Sequence, residues 1–263
     1  MMPDAPQARR RLVFLSARWH ALAMLNYEID PAALLPLVPT GVELDAHEGR
    51  HFVSMVGFLM LRTRVLGIPV PWHRHFEEVN LRFYVRRMVG GEVRRGVCFV
   101  KEIVPRRAIA TTARWFYNEP YVALPMKHAL SGPVRQFVEH STRYRPIAAA
   151  AEGFAEYRWR FAGRWNALSL THAGEPAALV PGSLEEFIAE HYWGYCQQRD
   201  GGTVEYEVVH PPWRVWQGSK PQLDCDAAAL YGPQFGRVLD QPPQSAFLAD
   251  GSEVAVLRPR RIA

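Results

Sequence analysis

The stretch FEEVNLRFYVRRMVGGEVRRGVCFVKEIVP, residues 76–105, constrains the fold more than any other. Two runs rich in β-branched and aromatic residues flank Gly90-Gly91, a pair that tolerates the positive φ of a tight hairpin turn. Counting outward from that turn pairs Arg82 with Phe99, Asn80 with Lys101 and Glu78 with Ile103. One face then carries Glu78, Asn80, Arg82, Tyr84 and Lys101. The other carries Val79, Leu81, Phe83, Val85, Cys98, Val100 and Val104, with Glu102 as its one charge. Side chains alternate with a period of two, so a slip of one residue exchanges every assignment on one strand.

Strand signals dominate the rest of the chain. VELDAHEGRHFVSMVGFLMLRTRVLG reads as a second hairpin turning at its EG pair, and GFAEYRWRFAG, NALSLTH and RQFVEHSTRYR are β-rich or alternating. GGTVEYEVVHPPWRVW starts a strand at a Gly-Gly turn and stops it at Pro211-Pro212. Helical signals are fewer. DPAALLPLVPTG is a short helix capped by Asp30, RRAIATTARWFYNEP a helix ending before Pro120, and PGSLEEFIAEHYWGY opens with the capping box Ser183 to Glu186. There is no repeat and no low-complexity linker. The expectation is one domain over residues 1–263, with an ordered core at about 12–245, mobile termini, and an α+β fold built mainly on antiparallel sheet.

Composition removes several function classes. No apolar run approaches the ~20 residues that span a bilayer, and the apolar piece after Arg9–Arg11 is too short for a signal peptide and is broken by Arg18, so the reading is cytoplasmic with no membrane partner. Cys98, Cys196 and Cys225 are far apart and give neither a zinc site nor a disulfide framework. The net charge of +5 comes from basic residues spread among acids, and its two clusters lie near the termini, so no nucleic-acid partner is expected. No phosphate loop, dinucleotide fingerprint or GxSxG elbow is present, and no cofactor is called for. HRHFEE sets His73, His75 and Glu77 at alternate positions, but its proline-rich surroundings read as loop, and no metal is expected. Homo-oligomerisation stays open.

LAMLNYEIDPAALLPLVPTGVELD, FEEVNLRFYVRR, GVCFVKEIVPRRAIA, YNEPY and EHYWGY…VVHPPW resemble the YqjF-like family of bacterial proteins across roughly residues 12–217. That family is distantly similar to the acetoacetate decarboxylase-like superfamily. The resemblance implies a barrel-like antiparallel core with flanking helices and an internal pocket. In the decarboxylase a Schiff-base lysine and a neighbouring lysine follow a Glu-Ile pair and a proline. Here Glu102-Ile103, Pro105 and then Arg106-Arg107 stand in a similar order with different spacing. Arginine stays protonated and cannot form the imine, although a guanidinium can hold a carboxylate with two parallel hydrogen bonds.

The candidate residues follow from the hairpin and from this departure. Glu78 and Glu102 are candidate acid–base groups, and Lys101 is the alternative amine. Arg82, Arg106 and Arg107 are candidate anchors for a small acidic metabolite. Each also has a structural reading: Lys101 in a cross-strand ion pair, Glu102 in a buried pair with arginine, Arg106 and Arg107 on surface acids. The aromatics of HYWGY and HPPWRVW either line a pocket or fill the core. A binding module and a structural protein with a filled barrel remain the alternatives to an enzyme.

Overall fold

The computed structural model describes residues 12–69, 74–106, 120–134 and 152–262. Its longer strands run in chain order as β1 (Val13–Glu28), β2 (Phe52–Val65), β3 (Phe76–Val89), β4 (Glu92–Val104), β5 (Met126–Leu130), β6 (Glu152–Phe161), β7 (Arg164–Ala173), β8 (Trp193–Gln197), β9 (Thr203–Val209), β10 (Ser219–Asp224), β11 (Ser245–Ala249) and β12 (Glu253–Leu257). Three short helices intervene: α1 (Leu184–Ala189), α2 (Ala227–Tyr231) and α3 (Pro233–Leu239).

Seven strands close into a barrel in the order β1-β2-β3-β4-β8-β9-β12 and back to β1. All contacts in that ring are antiparallel except β4 with β8. The first half of β1 pairs with β12, and its second half leaves the ring to pair with β11. A second sheet, ordered β10-β7-β6-β5, covers the outside of the wall.

Alternation explains both layers. On β3, Val79, Leu81, Phe83 and Val85 point outward and join Leu25, Met55, Tyr157, Trp159, Leu168 and Leu230 in the larger apolar core, between the wall, the second sheet and α2. The even residues face the barrel interior, where Leu22, Met24, Val56, Phe58, Phe76 and Trp213 form a smaller core. Gly57 is required where the sheets meet, because a Cβ there would lie 2.6 Å from Tyr157 Cδ2. The Tyr157 hydroxyl donates to the Ala21 carbonyl at 2.7 Å, bracing β1 where Ala21 takes a positive φ of 54°.

The hairpin turns at Gly90-Gly91 as expected, with φ of 60° and 87° and Val89 opposite Glu92. Arg82 faces Phe99. Beyond that pair the register departs from the symmetric count. Leu81 faces Lys101, Asn80 faces Glu102 and Val79 faces Ile103, because a β-bulge puts one extra residue, Val100, on β4. The expected pairs of Asn80 with Lys101 and Glu78 with Ile103 are therefore corrected by one residue.

Other elements also depart from the sequence reading. Glu43–Leu44 pairs with Val85 and Arg86 of β3 instead of forming a hairpin with β2. DPAALLPLVPTG makes two 3-10 turns, Pro31–Ala33 and Leu35–Leu37, with Asp30 Oδ1 accepting from the Ala32 amide at 2.9 Å. The ordered core runs past 245: β11 and β12 are sheet strands, and β12 closes the barrel. Arg260 donates through Nε at 2.8 Å to Glu205, a buried carboxylate that also accepts from Arg87 and Arg94. The expected Ser183 cap is present, accepting from the Glu186 amide at 3.1 Å. From residue 107 on, the helix expected to end before Pro120 lies outside the described residues, as does the strand expected at 135–145.

His20 sits buried beside the β1 bend, with Nε2 3.2 Å from the Val134 carbonyl. Burial first, and the Arg18 charge second, lower its pKa to about 4. Between about 6.5 and about 4 the unfolded chain binds this proton more readily than the folded one, so the folded state loses stability as the pH falls through that window. Urea unfolding at several pH values is expected to show His20→Gln losing about 2–3 kcal/mol less than the unsubstituted protein between pH 7 and pH 4. Parallel profiles would contradict the assignment.

Candidate functional site

The barrel encloses a cavity of about 250 Å³. The register of β2 against β3 gives its levels: Ser54 faces Arg82, Val56 faces Asn80, Phe58 faces Glu78 and Met60 faces Phe76. Because these inward positions lie two residues apart, Glu78 and Arg82 stand about 13 Å from each other along the strand. Glu102, opposite Asn80, completes a polar stripe on β3 and β4. Tyr121, on a short strand parallel to β4, adds a phenol to it.

At one end α1 closes the barrel. Phe187 packs on Tyr84 with ring centres 5.2 Å apart, and His191, just beyond the helix, lies 4.7 Å from the same ring. Arg82 is held at this floor. Its Nη2 donates to the Ile188 carbonyl at 3.1 Å, and its guanidinium lies 5.7 Å from the centre of the Tyr84 ring. Its Nε has no hydrogen-bond partner among the described residues. Higher up, Asn80 Nδ2 donates to Glu78 Oε1 at 3.1 Å and the Tyr121 hydroxyl to Glu78 Oε2 at 3.4 Å. Asn80 Oδ1 is buried without a partner among the described residues.

Two histidines join the lining. Burial, then the charges of Arg82 and Arg95, push the His191 pKa well below its ordinary value, and burial lowers that of His210. Both imidazoles are therefore neutral at pH 7, leaving Arg82 as the one permanent cation among the described lining residues. His210 also stacks on Trp213 at 4.2 Å and on Tyr192 at 4.7 Å.

The bulge decides which charged residues meet here. Glu78, Arg82 and Glu102 share the cavity. Lys101 does not: it sits on the outer face, donates to the Leu230 carbonyl and lies 5.8 Å from the Tyr231 ring centre. Burial lowers its pKa, but the amine is outside the barrel. The expected faces of Lys101 and Glu102 are thus reversed. Lys127 and Lys220 are exposed, the first against the Trp165 ring and the second beside Glu152, so none of the chain's lysines lines the cavity.

Arg106 is exposed and does not line the cavity. It lies near Glu77. Burial works against ionising Glu77, but the 2.7 Å bond to His128 and the charges of His128 and Arg106 outweigh it and hold the pKa below the usual carboxylate value. Arg107 and His73 lie outside the described residues. His75 accepts from the Arg62 amide at 3.3 Å, and no metal-ligand group forms among the described residues. Sequence reasoning left out Asn80, Tyr121, His191 and His210 as site residues. The HYWGY and HPPWRVW stretches held part of the signal, since His191, Trp193, His210 and Trp213 line the cavity.

A closed barrel with a charged interior, a covering sheet and few helices is the acetoacetate decarboxylase-like fold. The structure matches acetoacetate decarboxylase from Legionella pneumophila with a TM-score of 0.62 and 14% identity, covering 100% of this chain and 92% of that one. It matches the enduracididine biosynthesis enzyme MppR, solved with pyruvate, with a TM-score of 0.61 and 15% identity, covering 100% and 96%. An acetoacetate decarboxylase-like enzyme from Sphingomonas wittichii RW1 matches with a TM-score of 0.60 and 15% identity, covering 95% and 93%. These identities establish the fold alone. The chain belongs to the DUF2071 family, described as an uncharacterized conserved protein, whose model matches residues 16–253. It is 30% identical over 205 residues to the uncharacterized protein YqjF of Bacillus subtilis strain 168, covering 74% of this chain and 72% of that one. Among the described residues no helix is long and apolar enough to cross a membrane.

Removing the two cations should have unequal effects. Arg82→Met takes a buried charge-assisted bond from the Ile188 carbonyl and is expected to cost about 2–3 kcal/mol in chemical denaturation. Lys101→Met, on the half-buried outer face, is expected to cost about 1 kcal/mol or less. The reverse order would place the important cation on the wrong side of the wall.

Proposed function

We propose that this protein is cytoplasmic and binds a small organic acid inside the barrel, with the ligand carboxylate on Arg82 and Glu102 or Glu78 positioned to exchange a proton. The observation that carries the reading is the guanidinium at the cavity floor. Its Nη2 is fixed by Ile188, while its Nε is buried without a partner among the described residues. A carboxylate is the acceptor that suits a guanidinium edge in such a site. Pyruvate in the MppR complex supports the acid class by analogy of fold.

The chemistry differs from that of an imine-forming enzyme. An imine needs a deprotonated amine facing the ligand, and the lysines of this chain lie off the cavity. Any transformation then rests on proton transfer by the carboxylates, with neutral His210 as a further acceptor. A ligand that binds and is recovered unchanged identifies a binding module using the same site.

Calorimetric titration at low salt with a panel of simple and 2-oxo carboxylates is expected to give saturable binding, weakened at least tenfold in Arg82→Gln. Unchanged affinity in a folded Arg82→Gln protein would remove Arg82 as the anchor. Borohydride reduction in the presence of a 2-oxo acid is expected to leave Lys101, Lys127 and Lys220 without adducts by mass analysis. An adduct on any one of them would restore the imine route.

A further inference from the structure

We infer that the ligand is an aryl-bearing carboxylic acid, its carboxylate at the floor and its aromatic ring between the walls further up the barrel; this rests on the reading of Arg82 given above. The first support is the layout of polarity. In the closed ring, β3 and β4 stand across from β1 and β12, with β2 on one side and β8 and β9 on the other. The charged side chains of the lining, Glu78, Arg82 and Glu102, are confined to β3 and β4, whereas β1 and β12 present Trp19, Leu22 and Val256 to the cavity. A ligand filling this space meets charge on one side and hydrocarbon on the other.

The second support is the aromatic array. Trp19 lies 5.3 Å from Phe58 and 6.1 Å from Trp213, with the rings tilted at 58° and 54°. Trp213 is stacked on His210 at 15°. Phe58 faces Glu78 across the ladder, four residues along β3 from Arg82. The array therefore begins above the floor, where the body of a ligand anchored on Arg82 must lie. The tilted rings pack directly on one another and together form an aromatic wall against which a ligand ring can lie.

The third support is size. A cavity of about 250 Å³ corresponds to about eight waters' share of liquid volume. A three-carbon acid leaves most of the aromatic wall untouched. Extra carbons placed against that wall leave water for apolar surface, and a six-carbon ring contributes about as much as burying an apolar side chain.

The test is titration of the unsubstituted protein with propanoate, 3-cyclohexylpropanoate and 3-phenylpropanoate at one ionic strength, read by calorimetry and tryptophan fluorescence. The phenyl acid is expected to bind at least tenfold tighter than propanoate and at least as tightly as the cyclohexyl acid. Trp213→Leu is expected to reduce the phenyl-to-propanoate ratio at least fivefold; if that variant fails to fold, Phe58→Leu is read in the same way. A ratio below tenfold, tighter binding of the cyclohexyl acid, or an unchanged ratio in a folded variant overturns the aryl assignment and leaves the acid site standing. Absence of saturable binding by every acid overturns both.

Discussion

One extra residue on one strand sets the chemistry of this barrel. Val100 stands in a bulge opposite Leu81, so β4 changes phase halfway along its length. On the turn side of the bulge Val97 and Phe99 point inward; beyond it Glu102 and Val104 do. Without the bulge Lys101 would enter the cavity and Glu102 would face the outer core. The same strand composition would then supply an internal amine in place of an internal carboxylate. The bulge brings Glu102 level with Asn80 and sends the Lys101 amine to the Leu230 carbonyl, where it helps seat α2.

The barrel does not rely on its interior alone for apolar burial. The larger core lies outside the ring, where β6, β7 and α2 cover the outward faces of β1, β2 and β3. Burial of that face holds the wall in shape. Tyr157 illustrates the coupling: its ring fills the space left by Gly57, and its hydroxyl satisfies the Ala21 carbonyl at the β1 bend. The interior can then carry buried charge and open volume that a single central core would have to fill. Arg82, Glu78 and Glu102 impose a desolvation cost that the outer core offsets.

Charge elsewhere has structural duties. Burial opposes ionisation of Glu205, but hydrogen bonds and charges from Arg260, Arg94 and Arg87 prevail and keep its pKa below the usual carboxylate value. The cluster ties the end of the chain to the barrel, and Arg94 and Arg260 also lie over the Trp193 ring. Much of the basic surplus is used in this way. It is scattered in sequence because the strands it joins are far apart in the chain.

Local chemistry determined by itself the Gly90-Gly91 turn, the Ser183 cap, the strand ending at Pro211-Pro212 and the alternation that puts Glu78 and Arg82 on one face, because each depends on neighbours a few residues away. The YqjF-like resemblance added the barrel, which no local pattern states. Tertiary structure alone decided the rest. A bulge leaves no mark in a run such as CFVKEIV, since one additional apolar residue fits either count, and so the faces of Lys101 and Glu102 could not be read from it. His191, His210 and Trp213 reach the cavity only after β8 and β9 close the ring, through pairings between segments distant in the chain, Trp193 with Gly96 and Val208 with Val256. The role of β12 was hidden for the same reason: a short strand near the end of the chain is recognisable as a barrel wall only when β1 and β9 are beside it.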